Sequence, residues 1–135
     1  AVDINLAKQL NILLSQQGIK PEAIVMDIGS AAVGYGFEYV ASTMDRIRLA
    51  ALGQNDTDLQ MPIITNVAND AWSVKEAVFP EAEMPVWGDQ ETRGIDMEVA
   101  TAAACLAGGS NAVIVRHPKS AETAAELISA LTAEA

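Results

Sequence analysis

Four polar side chains stand where apolar runs stop, and their types could do chemistry. Asp27 follows Ala23 to Met26, Asn66 closes PIITN, Asp89 follows a possible short run at Met84 to Trp87 and Gly88, and His117 ends NAVIVRH. On a parallel sheet such positions converge on one face, so two carboxylates, an amide and an imidazole there could hydrogen-bond one polar ligand or move a proton. Each has a plainer reading. Asp27 can brace the backbone amides of the AVGYG turn, and Asn66 and Asn69 can cap the next helix. His117, the only histidine, is a general base, a metal ligand or a packed polar tip held extended by Pro118. Gly29, Gly34 and Gly36 punctuate the small-residue loop that follows Asp27. The segment from Gly88 through Asp89 and Glu91 to Arg93 is the richest polar loop; Arg93 can anchor an anion or pair with Asp89 or Asp96. Cys105 reads as a small buried hydrophobe. One cysteine and one histidine cannot supply a metal or cluster site. DIGSA is not a nucleophile elbow, and no nucleophile–base set can be assembled, so no catalytic residue is assigned.

The elements needed to hold these tips are strands alternating with helices. Asp3 or Asn5 caps a first helix with Leu6, Leu10, Leu13 and Leu14 on one face, ended by Gly18 and Pro21. A strand at Ala23 to Met26 precedes a helix from Tyr39 to Leu52, striped by Val40, Met44, Ile47 and Ala51. A strand at Pro62 to Asn66 leads to a helix near Ala71 to Val78 with Asn69 or Asp70 at its cap. A short strand at Met84 to Trp87, a helix from Thr92 to Ala107, a strand at Ala112 to Val115 and a last helix from Ala121 to about Leu131, opened by Ser120, complete a single domain over residues 1–135. The order α–β–α–β–α–β–α–β–α suits a parallel α/β sheet. Two architectures fit: an open doubly wound sheet, or half of a (β/α)8 barrel. Gly29, Gly34 and Gly36 lack the spacing of a dinucleotide fingerprint.

Composition narrows the partners. Half of the 135 residues are hydrophobic and 4% aromatic, so the core must be built from alanine and aliphatic side chains. A formal charge of −10 argues against nucleic acid or an anionic membrane as partner. There is no run long enough to span a bilayer and no signal-peptide pattern, and the lone cysteine suits a reducing cytoplasm.

The segment PEAIVMDIGSAAVGYGFEYVASTMDRIRLAALGQNDTDLQMPIITNV resembles the small subunit of the corrinoid iron–sulfur protein, whose archaeal counterpart is the delta subunit of the acetyl-CoA decarbonylase/synthase complex. The MD strand tip, GYGFEY (Gly34 to Tyr39), the MDRIRLAAL helix and LQMPI carry the likeness, and WGDQETRG, Glu98 to Thr101 and RHP (Arg116 to Pro118) extend it along the chain. The resemblance implies the C-terminal half, about four β/α units, of a TIM (β/α)8 barrel. It implies a cobamide (a vitamin B12 derivative) covered by the strand-end face, with the iron–sulfur cluster confined to a large partner subunit. It further implies methyl passage in the reductive acetyl-CoA (Wood–Ljungdahl) pathway, from a methyltetrahydropterin through a methyltransferase to acetyl-CoA synthase. On this reading the chain is an accessory subunit, and Asp27, Gly29, Ser30, Ala31, Asn66, Asn69, Gly88, Asp89, Arg93 and His117 are its candidate cofactor contacts. The loop IGSAAVGYG departs from the proline or threonine usual in the family near Ile28 to Ser30, so the corrinoid-facing loop differs in detail. The alternative is a pterin-dependent methyltransferase barrel, with Asp27 and Asn66 on the pterin ring.

Overall fold

The computed structural model describes residues 3–133, an α/β fold with three parallel strands in the order β1–β2–β3. The strands are β1 (Met26–Asp27), β2 (Ile63–Asn66) and β3 (Ala112–Ile114). Met26 pairs with Ile63, and Ile64 and Asn66 pair with Ala112 and Ile114. Strand β2 is central, with Ile63 and Thr65 fully buried. Its register is locked by Asn111, whose Oδ1 accepts the Ile63 N–H at 2.9 Å. The same oxygen also takes a hydrogen bond from Arg48, which donates to the Gly109 carbonyl at 2.7 Å.

Helix α1 (Ile4–Gln16) is capped by Asp3, which accepts the Asn5 N–H, and ends before Gly18, whose φ of 86° only glycine adopts without strain. Its buried residues are Ala7 and Asn11; Leu6, Leu10, Leu13 and Leu14 share a face as expected, but that face is exposed. Helix α2 (Phe37–Arg48) begins after the positive-φ Gly36 and runs into a wider π turn at Leu49–Gly53. Val40, Met44 and Ile47 pack with Ile24, Met26, Ile28, Leu59, Met61 and Ile63 into the larger core.

Helices α3 (Val67–Ala71), α4 (Lys75–Val78) and α5 (Gln90–Gly108) make the crossover to β3, and α6 (Pro118–Thr132) closes the described chain. A second core joins Val67, Ala71, Ala102 and Cys105, and burial pushes the Cys105 thiol up in pKa. No helix of the described residues is long and apolar enough to cross a membrane.

Four expectations need correction. Only Met26 and Asp27 of the first apolar run pair as a strand, because Pro21–Ala23 forms a 3₁₀ turn; Asp27 therefore ends the strand instead of following it. The expected strand at Met84 to Trp87 is a 3₁₀ turn over Pro85–Trp87: Pro85 has no N–H to give a ladder, and the N–H groups of Trp87 and Gly88 are used locally on the Met84 and Pro85 carbonyls. The segment near Ala71 to Val78 is two short helices, so Asn69 and Asp70 lie inside α3 and cap neither. Helix α6 is capped by His117, whose Nδ1 accepts the Lys119 N–H, while Ser120 is buried in its first turn.

Candidate functional site

Asp27 and Asn66 close neighbouring strands at the C-terminal edge of the sheet, with Asn66 two residues beyond Ile64, the register partner of Asp27. Asp27 Oδ1 accepts the Gly29 N–H at 2.9 Å, the loop-bracing bond expected of an aspartate in this position. Asn66 makes no capping bond to α3, although it sits at the N-cap. Its Oδ1 is buried without a hydrogen-bond partner, whereas the buried Ser30 hydroxyl has the Cys105 thiol as a hydrogen-bond partner. A buried acceptor left unpaired costs about 1–3 kcal/mol, so the Asn66 oxygen needs an explanation.

The loop after β1 and helix α3 border a hollow of about 470 Å³ lined by Ser30, Ala31, Ala32, Tyr35, Asp70, Ser73, Val74 and Lys75. Burial, together with the nearby Asp27 charge, raises the pKa of Asp70 above the ordinary aspartate range. Across the hollow, the Tyr35 hydroxyl donates to Glu76 Oε2 at 2.7 Å, which holds Glu76 below the usual carboxylate range. The loop carrying Ser30 and Ala31 is tied to α5 through the Val33 N–H, which donates to Thr101 Oγ1 at 3.2 Å.

His117 belongs to a separate hollow of about 340 Å³ between the starts of α5 and α6, shared with Trp72, Gln90, Glu91 and Arg116. Nδ1 accepts from Lys119 N–H at 3.0 Å, which assigns the proton to Nε2, and Nε2 lies 2.8 Å from Glu91 Oε1. Both ring nitrogens are thus engaged, and neither offers a lone pair to a metal. The imidazole stacks on Trp72 with centroids 6.0 Å apart, and the Arg116 guanidinium lies 5.5 Å from the centre of the same indole. Among the described residues no cluster of His, Cys, Asp and Glu could hold a metal ion.

The remaining expected contacts are not brought to the strand ends as ligand groups. Asp89 caps α5, accepting from the Thr92 N–H at 2.8 Å and the Thr92 hydroxyl at 2.7 Å; these bonds lower its pKa. Arg93 pairs with neither Asp89 nor Asp96. It donates to the carbonyls of Gly88, Glu76 and Phe79, and so fastens the α4–α5 connection. Gly88 supplies a φ of 75° at the end of the 3₁₀ turn, and Asn69 is exposed on α3.

Glu98 is the residue that motif reading undervalued. It is fully buried, and its two oxygens accept the Arg116 N–H at 2.7 Å and the His117 N–H at 3.0 Å, fixing the turn after β3. The signal was available: Glu98, Thr101, Ala102 and Cys105 fall at helical spacing, and all four are buried.

The family model described as CO dehydrogenase/acetyl-CoA synthase delta subunit matches residues 1–115. The chain belongs to this family. It is similar to the acetyl-CoA decarbonylase/synthase complex subunit delta of Archaeoglobus fulgidus, at 36% identity over 134 residues, covering 96% of this chain and 29% of that protein. The Methanopyrus kandleri protein of the same name is 40% identical over 117 residues, covering 87% and 28%. The Methanothermobacter thermautotrophicus one is 37% identical over 132 residues, covering 98% and 33%. The chain therefore spans between 28% and 33% of the length of these three relatives. The match to the family model includes Asp27, Ser30, Asn66, Asp70 and Glu98, so the strand-end hollow lies within the family region, while the Arg116 and His117 amides that Glu98 holds lie just past its end.

Proposed function

We propose that this chain is part of a cobamide-covering subunit of the corrinoid iron–sulfur protein type, working with a large subunit that carries the iron–sulfur cluster. The proposal includes the half-barrel architecture, of which the three parallel strands would form part. The observation that carries it is the orphaned Asn66 Oδ1 at the end of β2, together with the hollow that Ser30 and Asp70 line. A corrin ring is edged with side-chain amides, whose N–H groups are donors of the kind the Asn66 oxygen lacks, so the residues fit the group. Ala31 and Ala32 offer apolar contact, and Asp27 keeps the loop shaped for it. A cobamide bound there would supply the methyl-carrying centre between a methyltetrahydropterin-dependent methyltransferase and acetyl-CoA synthase in the acetyl-CoA pathway. The chain's own residues then bind and shield; none is placed as a nucleophile. The name shared by the relatives, a subunit of the acetyl-CoA decarbonylase/synthase complex, supports this reading.

The test uses the full-length protein joined to its large-subunit partner. Asn66→Ala removes an acceptor that has no partner in the fold, so stability should hold while cobinamide affinity falls by roughly fivefold to tenfold, the worth of one hydrogen bond. Lost stability with unchanged cobinamide affinity would make Asn66 structural. Tight methyltetrahydrofolate binding without any corrinoid would favour the pterin-dependent methyltransferase, with Asp27 and Asn66 on the pterin ring.

A further inference from the structure

A third groove lies between α4, α5, the 3₁₀ turn and the loop position Val33. Its volume is about 460 Å³, and its walls are Val33, Trp87, Met97 and Ala100 with Glu76, Arg93 and Asp96 at the edge. The site is rigid for identifiable reasons. The Trp87 indole is stacked on Phe79 with centroids 6.4 Å apart, and the Arg93 guanidinium lies 5.7 Å from its centre. Arg93 is itself held by three backbone carbonyls. Beside Trp87, Val86 is 94% exposed, the most exposed large apolar side chain of the described residues. A preformed apolar wall with an aromatic anchor is what a docking surface needs, since little ordering cost remains on association.

Charge selects the occupant. Among the described residues Arg93 is the only cation lining the groove, and its N–H groups are turned to three backbone carbonyls and its face to the indole. The exposed Asp96 carboxylate has no hydrogen bond or ion pair among the described residues, and Glu76 adds a second negative charge. Glu81 and Glu83 are exposed on the adjoining segment. A chain of net charge −10 repels a second copy of itself as well as any acidic partner.

We propose that this groove docks a partner protein through a segment that lays an apolar side chain against Val33, Trp87 and Met97 and sets a lysine or arginine beside Asp96 and Glu76. The surface uses neither Asn66 nor Asp70, so it stands whether or not the corrinoid reading holds.

The test titrates the full-length protein with two synthetic peptides of equal length, one alternating leucine with lysine and the other leucine with glutamate. The exposed positions Val33 and Asp96 allow Val33→Ser and Asp96→Lys to be made without disturbing the core. Calorimetry should show the lysine peptide binding and the glutamate peptide not binding. Asp96→Lys and Val33→Ser should each weaken the lysine peptide about tenfold, and added salt should weaken it further. Equal affinity of the lysine peptide for the native protein and both variants would mean general attraction to an acidic chain, and would overturn the proposal. So would preference for the glutamate peptide, or self-association of the native protein that Val33→Ser abolishes, which would assign the groove to a second copy.

Discussion

Replacing Glu98 by glutamine keeps the shape of the side chain and removes one of two acceptors from a fully buried position. In the native fold the two carboxylate oxygens take the N–H groups of Arg116 and His117 at 2.7 and 3.0 Å. The glutamine oxygen can serve one of them; its NH₂ group then faces the other N–H, donor against donor. An unsatisfied buried donor costs about 1–3 kcal/mol, so the expected loss for Glu98→Gln is about 2 kcal/mol. Glu98→Ala strands both N–H groups and leaves a cavity. Two bonds to a charged group at about 1.5–3 kcal/mol each, less the recovered desolvation of a buried carboxylate, give about 4 kcal/mol. Urea unfolding of the full-length protein at neutral pH, followed by backbone circular dichroism, reads both values. The turn also holds His117 against Trp72, so indole fluorescence should shift in Glu98→Gln before unfolding begins. If Glu98→Ala unfolds within 0.5 kcal/mol (roughly the effect of an ordinary surface change) of the native protein, the carboxylate is not what holds this turn and the reasoning fails.

Three further outcomes follow from the same contacts. A Cβ on Gly94 would stand inside contact distance of three Trp72 ring atoms, the farthest at 2.9 Å, so Gly94→Ala should destabilise by about 1–2 kcal/mol and alter the near-ultraviolet dichroism; a gain of about 1 kcal/mol from helix propensity alone would show that the indole is not seated there. Asp70 has a raised pKa in the fold, so its folded form holds a proton more tightly and its ionisation opposes folding as pH rises from the unfolded aspartate value through the folded one. Asp70→Asn should therefore raise the melting temperature at pH 7 and lose that advantage as the solution is acidified; an advantage that is constant with pH would contradict the shift. His117→Gln should cost about 1 kcal/mol through its cap on α6 yet leave the cobalt spectrum of a cobamide-loaded complex unchanged, whereas loss of a histidine-bound cobalt signature would show that the imidazole leaves its two hydrogen bonds to reach the metal.

Periodicity and chain punctuation were enough to find most of the elements. The stripe Val40, Met44, Ile47 and Ala51 is buried as its spacing requires, and the apolar run ending in Asn66 is the central strand, with Ile63 and Thr65 fully buried. Helix α5 was legible from its length and from the glycines that stop it. These features depend on neighbours within a few residues, which is the range over which sequence pattern acts.

What depended on distant residues came only with the tertiary structure. The leucine face of α1 is a true helical stripe, yet the fold buries the opposite side, where the Asn11 amide donates to the Asp58 carbonyl at 2.8 Å. Arg93 looked like a partner for a nearby carboxylate, but three carbonyls from a loop that folds back on α5 surround its guanidinium more completely. Met84 to Trp87 has strand-like side chains, and Pro85 within it yields a 3₁₀ turn. Asn66 was named from its place at a strand end. That its oxygen is buried and unpaired depends on which backbone donors the packing of α3 and the Ser30 loop leave within reach. Hydrogen-bond satisfaction is a property of the whole packed interior, and no local pattern encodes it.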